Sequence, residues 1–106
     1  MISYDKENDI FAIHKGFASD EKFKGNIDVG DLILDVSTKE RIVGIEILNA
    51  SVFLKEFGVS KEILEGFIDV KFNVVTKGNT ISIGIILKTK DVEKPIKIAV
   101  PLRKHI

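Results

Sequence analysis

An α+β fold of antiparallel β-hairpins, a short helical segment and a three-stranded antiparallel meander is the class this sequence predicts. Three observations predict it. The last forty residues hold three runs in which apolar and polar residues alternate, the period of a strand with one covered face. Residues 31–48 hold two more such runs around a short polar turn. Between these groups, residues 49–66 carry helix punctuation: cap residues, phenylalanines four apart and glycine stops. At 106 residues the chain is expected to be a single domain, 1–106. A chain of this size buries roughly 60–70% of its unfolded surface, enough for an independent core.

In chain order, Ile2-Ser3-Tyr4 reads as a short strand. Asp5 to Asp9 reads as a turn of residues whose side chains bond their own backbone, and Ile10 to His14 as the return strand. Phe11 and Ile13 then share a face with Ile2 and Tyr4, while Ala12 and His14 take the other. Lys15 to Asp28 has no clean period and reads as a long loop, of a length that often binds something. Its Phe17 and Phe23 are expected to close over the core. Asp31 to Val36 and Ile42 to Leu48 form a hairpin. Leu32, Leu34 and Val36 make one apolar row and Val43, Ile45 and Ile47 another. Both rows face the core only if Leu34 lies near Ile45. That register sets Asp31, Ile33 and Asp35 beside Gly44, Glu46 and Leu48 on the opposite face.

Asn49 is placed to cap the helix that follows, Phe53 and Phe57 are spaced to touch, and Gly58 stops it. Ser60 caps a second short turn that ends at Gly66. Such brief helices need a sheet to dock on. Ile68 to Val74, Ile81 to Leu87 and Ile96 to Val100 are the meander strands. Gly78-Asn79 is a two-residue hairpin signal that keeps Val74 and Ile83 on one face. Pro95 and Pro101 bracket the last strand, as suits an edge.

Sixteen basic and sixteen acidic residues leave a net charge of zero. That argues against nucleic-acid binding through a broad basic field and favours self-association, here a homodimer. The absence of cysteine excludes disulfides, thiolate nucleophiles and cysteine metal sites. The start of the chain has no signal-peptide pattern, and no run reaches the ~18 apolar residues of a membrane span, so a cytoplasmic location without membrane contact is expected. Heavy use of Lys, Glu and Ile without Gln matches hyperthermophile proteomes, and an AT-rich genome gives much the same bias.

Motifs for chemistry are few. Asp5, Glu7 and Asp9 imitate a calcium loop, but Ile10 and Gly16 stand where glycine and a bidentate acid are needed. His14 and His105 are expected at the surface, without a partner set for a triad or metal. Gly25 and Gly30 do not form a phosphate loop. Phe17 and Phe23 near Lys15, Lys22 and Lys24 hint at base stacking, but Asp20 and Glu21 interrupt the run. Hence no cofactor, metal or catalytic residue is expected. Asp31, Asp35 and Glu46 can be read as a catalytic carboxylate cluster, of the kind glycosidases draw pairs from, but the chain has no tryptophan and one tyrosine with which to stack a sugar. The remaining readings are a solvated sheet face and an acidic partner-binding face. Ile33 and Leu48 among the acids favour the second.

Tyr4-Asp5…Asp9, then Val29 to Asp35, then Arg41-Ile42-Val43-Gly44-Ile45-Glu46-Ile47-Leu48-Asn49-Ala50-Ser51, resembles the small prokaryotic family called domain of unknown function 2283. The likeness covers residues 1–57; residues 58–106 extend beyond it. The chain departs from the family pattern at the turn Ser37 to Glu40, where acids and a glycine are usual, and at Asn49, where aspartate is common. The resemblance implies no enzymatic activity, and it implies an antitoxin-like role beside a small RNA-cleaving toxin encoded next to it. Together these readings lead to a non-catalytic binding protein that meets a small basic toxin through Asp31, Ile33, Asp35, Glu46 and Leu48. The alternative is a structural homo-oligomeric module with no toxin partner.

Overall fold

The computed structural model describes residues 1–101. The chain divides into two compact units, Met1–Glu65 and a second beginning at Gly66. Each contains an antiparallel sheet, and with the short helices this makes an α+β protein.

The first unit holds β1 (Ile2–Asp5), β2 (Ile10–His14), β3 (Phe23–Val29), β4 (Leu32–Ser37) and β5 (Ile42–Ile47). Their order across the sheet is β1-β2-β5-β4-β3. Alternation fixes the covered face. Ile2 pairs with Ile13 and Tyr4 with Phe11, so the N-terminal hairpin has the expected register. Phe11 then lies opposite Ile47 and Ile13 opposite Ile45. Leu34 lies opposite Ile45 and Leu32 opposite Ile47, as the apolar rows required. Phe11, Leu34, Val43, Ile45 and Ile47 are all buried.

Three expectations are corrected here. The stretch read as a loop from Lys15 to Asp28 contains β3, whose Ile27 and Val29 pair with Leu34 and Leu32. It escaped notice because it is an edge strand with two covered apolar residues, broken by a register shift between Phe23 and Gly25. Phe17 and Phe23 do not close over the core; they are 43% and 52% exposed. Phe17 instead meets the His14 ring edge-on at 5.0 Å between centroids. Third, Val36 does not continue the row with Val43. A β-bulge makes Val36 pair with Ile42 while Asp35 pairs with Gly44. Val43 is the extra residue, and it is buried.

After β5 come α1 (Ala50–Phe53), a 3-10 turn (Leu54–Phe57) and α2 (Lys61–Gly66). Gly58 ends the first helical stretch at φ 77°, a conformation glycine takes without a Cβ clash. Phe53 and Phe57 sit 6.0 Å apart, and the Ser60 hydroxyl accepts from the Ile63 N–H at 3.3 Å. The expected cap by Asn49 is not made. Asn49 lies in the left-handed region at φ 50° with no side-chain cap bond, and its amide points to Asp31 Oδ1 at 3.3 Å.

The second unit is the meander β6 (Asp69–Lys77), β7 (Thr80–Lys88) and β8 (Glu93–Pro101). Gly78 turns the first hairpin at φ 62°, and Val74 pairs with Ile83 as the two-residue turn dictates. Ile81, Ile83, Ile85, Leu87, Ile96, Ile98 and Val100 form the buried face. β8 is an edge strand of this sheet, which explains how it tolerates Pro95 and Pro101.

Candidate functional site

The outer face of the five-stranded sheet follows from the register. Ser3, Ala12, Glu46, Ile33 and Asp28 form one cross-strand row. His14, Gly44, Asp35 and Asn26 form the next. On the other side, Asp5 lies opposite Ile10, and just past β5 the Leu48 N–H donates to the Asp31 carbonyl at 2.7 Å. The predicted residues Asp31, Ile33, Asp35, Glu46 and Leu48 therefore share one face. Ile33, Asp35, Glu46 and Leu48 are half-buried, and Asp31 is exposed. Strand pairing adds what local pattern could not reveal: β2 beside β5 brings Ile10, Ala12 and, through β1, Asp5 to this face, and β3 beside β4 brings Asp28. The rows contain no lysine or arginine.

Gly44 is the tightest point of this face. A Cβ there would lie 2.8 Å from His14 Cδ2, 2.9 Å from Asp35 Oδ2 and 3.2 Å from the Ile13 carbonyl oxygen. The two flanking side chains are tethered. His14 Nδ1 accepts from the Gly16 N–H at 2.8 Å, and Asp35 Oδ1 accepts from the Asn26 amide at 2.5 Å. His105, the other histidine of the sequence, lies outside the described residues. Among the described residues, no group of three or more His, Cys, Asp or Glu is arranged to hold a metal ion.

Two polar networks frame the face. In the first, Asp9 reaches from the N-terminal hairpin to the start of α1. Its carboxylate accepts from the Ser51 hydroxyl at 2.7 Å and the Ser51 N–H at 3.0 Å, while the Tyr4 hydroxyl donates to it at 2.6 Å. The Asp9 carbonyl also accepts from the Ala50 N–H at 2.9 Å. Asp9 thus supplies the helix-start acceptor that Asn49 does not. Burial raises the Asp9 pKa, but the bonds from Tyr4 and Ser51 outweigh it and leave the group below its ordinary value. Burial, then the bond to Asp9, pushes the Tyr4 hydroxyl up to about 12. The acids once compared with a calcium loop are therefore a hairpin turn with a structural carboxylate at its end.

In the second network, Glu21 is a buried carboxylate. It accepts from Arg41 Nε and Nη2 at 2.8 and 2.5 Å, from the Ser37 hydroxyl at 2.5 Å and from the Ala18 N–H at 2.9 Å. Arg41, the Ala18 N–H and Ser37 together hold it far below the usual carboxylate range. This bidentate pair pins the segment before β3 to the turn before β5. Sequence reading missed it, although Arg41 stands among many lysines and arginine is the residue suited to a planar, two-point carboxylate contact.

The comparisons bear on the same part of the chain. Residues 1–51 match the family described as Protein of unknown function (DUF2283). An uncharacterized protein of Methanocaldococcus jannaschii is 42% identical over 77 residues, which cover 72% of this chain and 60% of the relative. The chain thus spans less than two thirds of that relative's length. No solved structure matches. Tyr4, Asp9, Arg41 and Gly44 all fall within the family segment, and Ser51 closes it. Among the described residues, no helix is long and apolar enough to cross a membrane.

Proposed function

We propose that the chain is a non-catalytic protein-binding module, antitoxin-like in role, that receives a small basic partner on the outer face of its five-stranded sheet. The observation that carries the reading is the composition of that face. Ile10, Ala12, Ile33 and Leu48 lie among Asp5, Asp28, Asp31, Asp35 and Glu46. Apolar residues interleaved with charges of one sign suit a protein interface. Acids also suit an RNA-binding toxin, whose own surface has to be positive. The antitoxin role itself comes from the family resemblance, and a cytoplasmic place of action goes with it. His14 and Asp35, the nearest approach to an acid–base pair on this face, each already hold a tether, which favours binding over chemistry.

The test replaces Asp31, Asp35 and Glu46 with Asn, Asn and Gln. The partner is captured from the native host, identified as the product of the neighbouring gene, and its association rate measured at low and high salt. The variant is expected to keep its fold, because the covered rows are untouched, and to bind more slowly at low salt. The wild-type advantage shrinks as salt screens the attraction. Equal rates at low salt would leave these acids a solvated face and end the proposal. A homo-oligomeric module is the second reading, favoured by the charge of the other sheet.

A further inference from the structure

The outer face of the β6–β8 sheet opposes the acidic face in charge. Both its acids, Asp69 and Glu93, stand in one end row beside Lys88. Of the other four rows, three carry a lysine as their only charged residue, Lys71, Lys97 and Lys77, and the Val75 row carries no charge. Among the described residues these three make no ion pair. Apolar surface lies between them, in Ile86, Pro95 and Val75, the last 51% exposed. At the centre Gly84 contributes no side chain, and two shallow hollows of about 360 and 400 Å³ border it.

The edge of this sheet is less suited to pairing than its face. Proline has no N–H, so the ladder tolerates Pro95 and Pro101 only where they point away from β7. By alternation, only the Lys97 and Ala99 N–H groups between them point outward as well. A strand added there finds two donors, whereas the face offers charge and apolar area together.

We infer that this basic face takes the acidic outer face of a second copy of the chain, joined head to tail. The inference rests on the reading of the acidic face as a protein-binding surface and adds a receptor for it on the same chain. Zero net charge here conceals two sheet faces of opposite sign, each with apolar residues among its charges. Both are antiparallel and share the ~4.8 Å strand spacing that lets two sheets stack about 10 Å apart. Three strands of nine residues give a patch of roughly 14 by 30 Å. That lies at the small end of specific interfaces, so association is weak and grows with concentration. Because the joined surfaces differ, the contact is heterologous and can add further copies.

Sedimentation velocity at rising concentration, in low and high salt, tests this with two charge reversals: Lys71→Glu with Lys97→Glu, and Asp35→Lys with Glu46→Lys. The wild type is expected to grow past the dimer at low salt and to dissociate at high salt. Each reversal alone stays monomeric. Mixed in equal amounts they assemble again, since each brings faces of the sign the other lacks. A reversal that fails to fold by circular dichroism is replaced by its neutral Gln or Asn counterpart, for which weakened assembly is expected. A monomeric wild type, assembly indifferent to Lys71 and Lys97, or a mixture that stays monomeric overturns the inference. So does a monomeric wild type whose lysine face instead binds a single-stranded RNA oligonucleotide. The lysine reversal should bind the foreign basic partner at the wild-type rate, so failure of self-assembly and failure of the partner reading are separable.

Discussion

Gly44→Ala is a substitution whose sign is decided by packing against conformational entropy. Within a strand, alanine should gain roughly 0.5–1 kcal/mol over glycine, because glycine loses more freedom on folding. Here the new Cβ meets His14 Cδ2 at 2.8 Å and Asp35 Oδ2 at 2.9 Å, against the 3.5–4.0 Å of an unstrained carbon contact. Each neighbour has to retreat by about 0.7 Å. The Ile13 carbonyl, 3.2 Å away, is backbone and yields little. His14 can retreat only by loosening its bond from the Gly16 N–H, and Asp35 only by loosening the one from Asn26. Both bonds are exposed, so each contributes about 0.5 kcal/mol, the low end for hydrogen bonds. Overpacking itself costs about 1–3 kcal/mol. The sum is a net destabilisation of roughly 1–3 kcal/mol. For a unit of this size that lowers Tm by about 5–15 °C. Urea unfolding followed by circular dichroism measures it, in the wild type and in a His14→Ala background where half the crowding is gone. The cost should fall by about 1 kcal/mol there, since contacting residues couple. A stabilised Gly44→Ala protein, or the same cost in both backgrounds, would refute the steric account.

Two further outcomes concern the polar networks. Tyr4 is the one tyrosine in a chain without tryptophan, so ultraviolet absorbance reports its ionisation alone. The phenolate should form near pH 12, and the stability that Tyr4 lends, intact below its ordinary 10.0, should drain away between the two values; a midpoint near 10 in folded protein would contradict the Asp9 contact. Glu21 has a depressed folded pKa, so its contribution is complete above the ordinary 4.5 and is lost as pH falls through the depressed value. Glu21→Gln should therefore begin with a lower Tm at pH 7 and fall less steeply in acid, Asp9 leaving some acid sensitivity behind, whereas parallel curves would show that the Arg41 pair is not intact in solution.

What the sequence revealed was local. Alternation located β4 to β8, the Leu34–Ile45 register and the Gly78 turn, because each depends on neighbours within a dozen residues. It also put Asp31, Ile33, Asp35, Glu46 and Leu48 on one face. It did not reveal that β2 pairs with β5, since alternation says which face a strand buries and not which strand lies beside it. Alternation therefore puts His14 on the outer face of its own hairpin without showing that it borders Gly44 and Asp35. β3 was hidden because an edge strand needs few apolar residues. The Asp9–Ser51 contact spans 42 residues and the Glu21–Arg41 pair spans 20. No spacing rule connects groups so far apart, and Asn49 offered a nearer acceptor for the same helix.

The strand order also constrains how the chain is made. β5 occupies the middle of the five-stranded sheet yet is the last of its strands to be synthesised. As the nascent chain emerges, β1–β2 and β3–β4 can close as separate hairpins, each marginal alone and each leaving open the edge that β5 later covers. Phe11 and Ile13 line one of those edges, Leu32 and Leu34 the other. Until Ile42–Ile47 arrives and pairs on both sides, two sticky edges wait within one chain. A ribosome that stalls before Ile42 would hold a product that can find its missing strand only in another molecule.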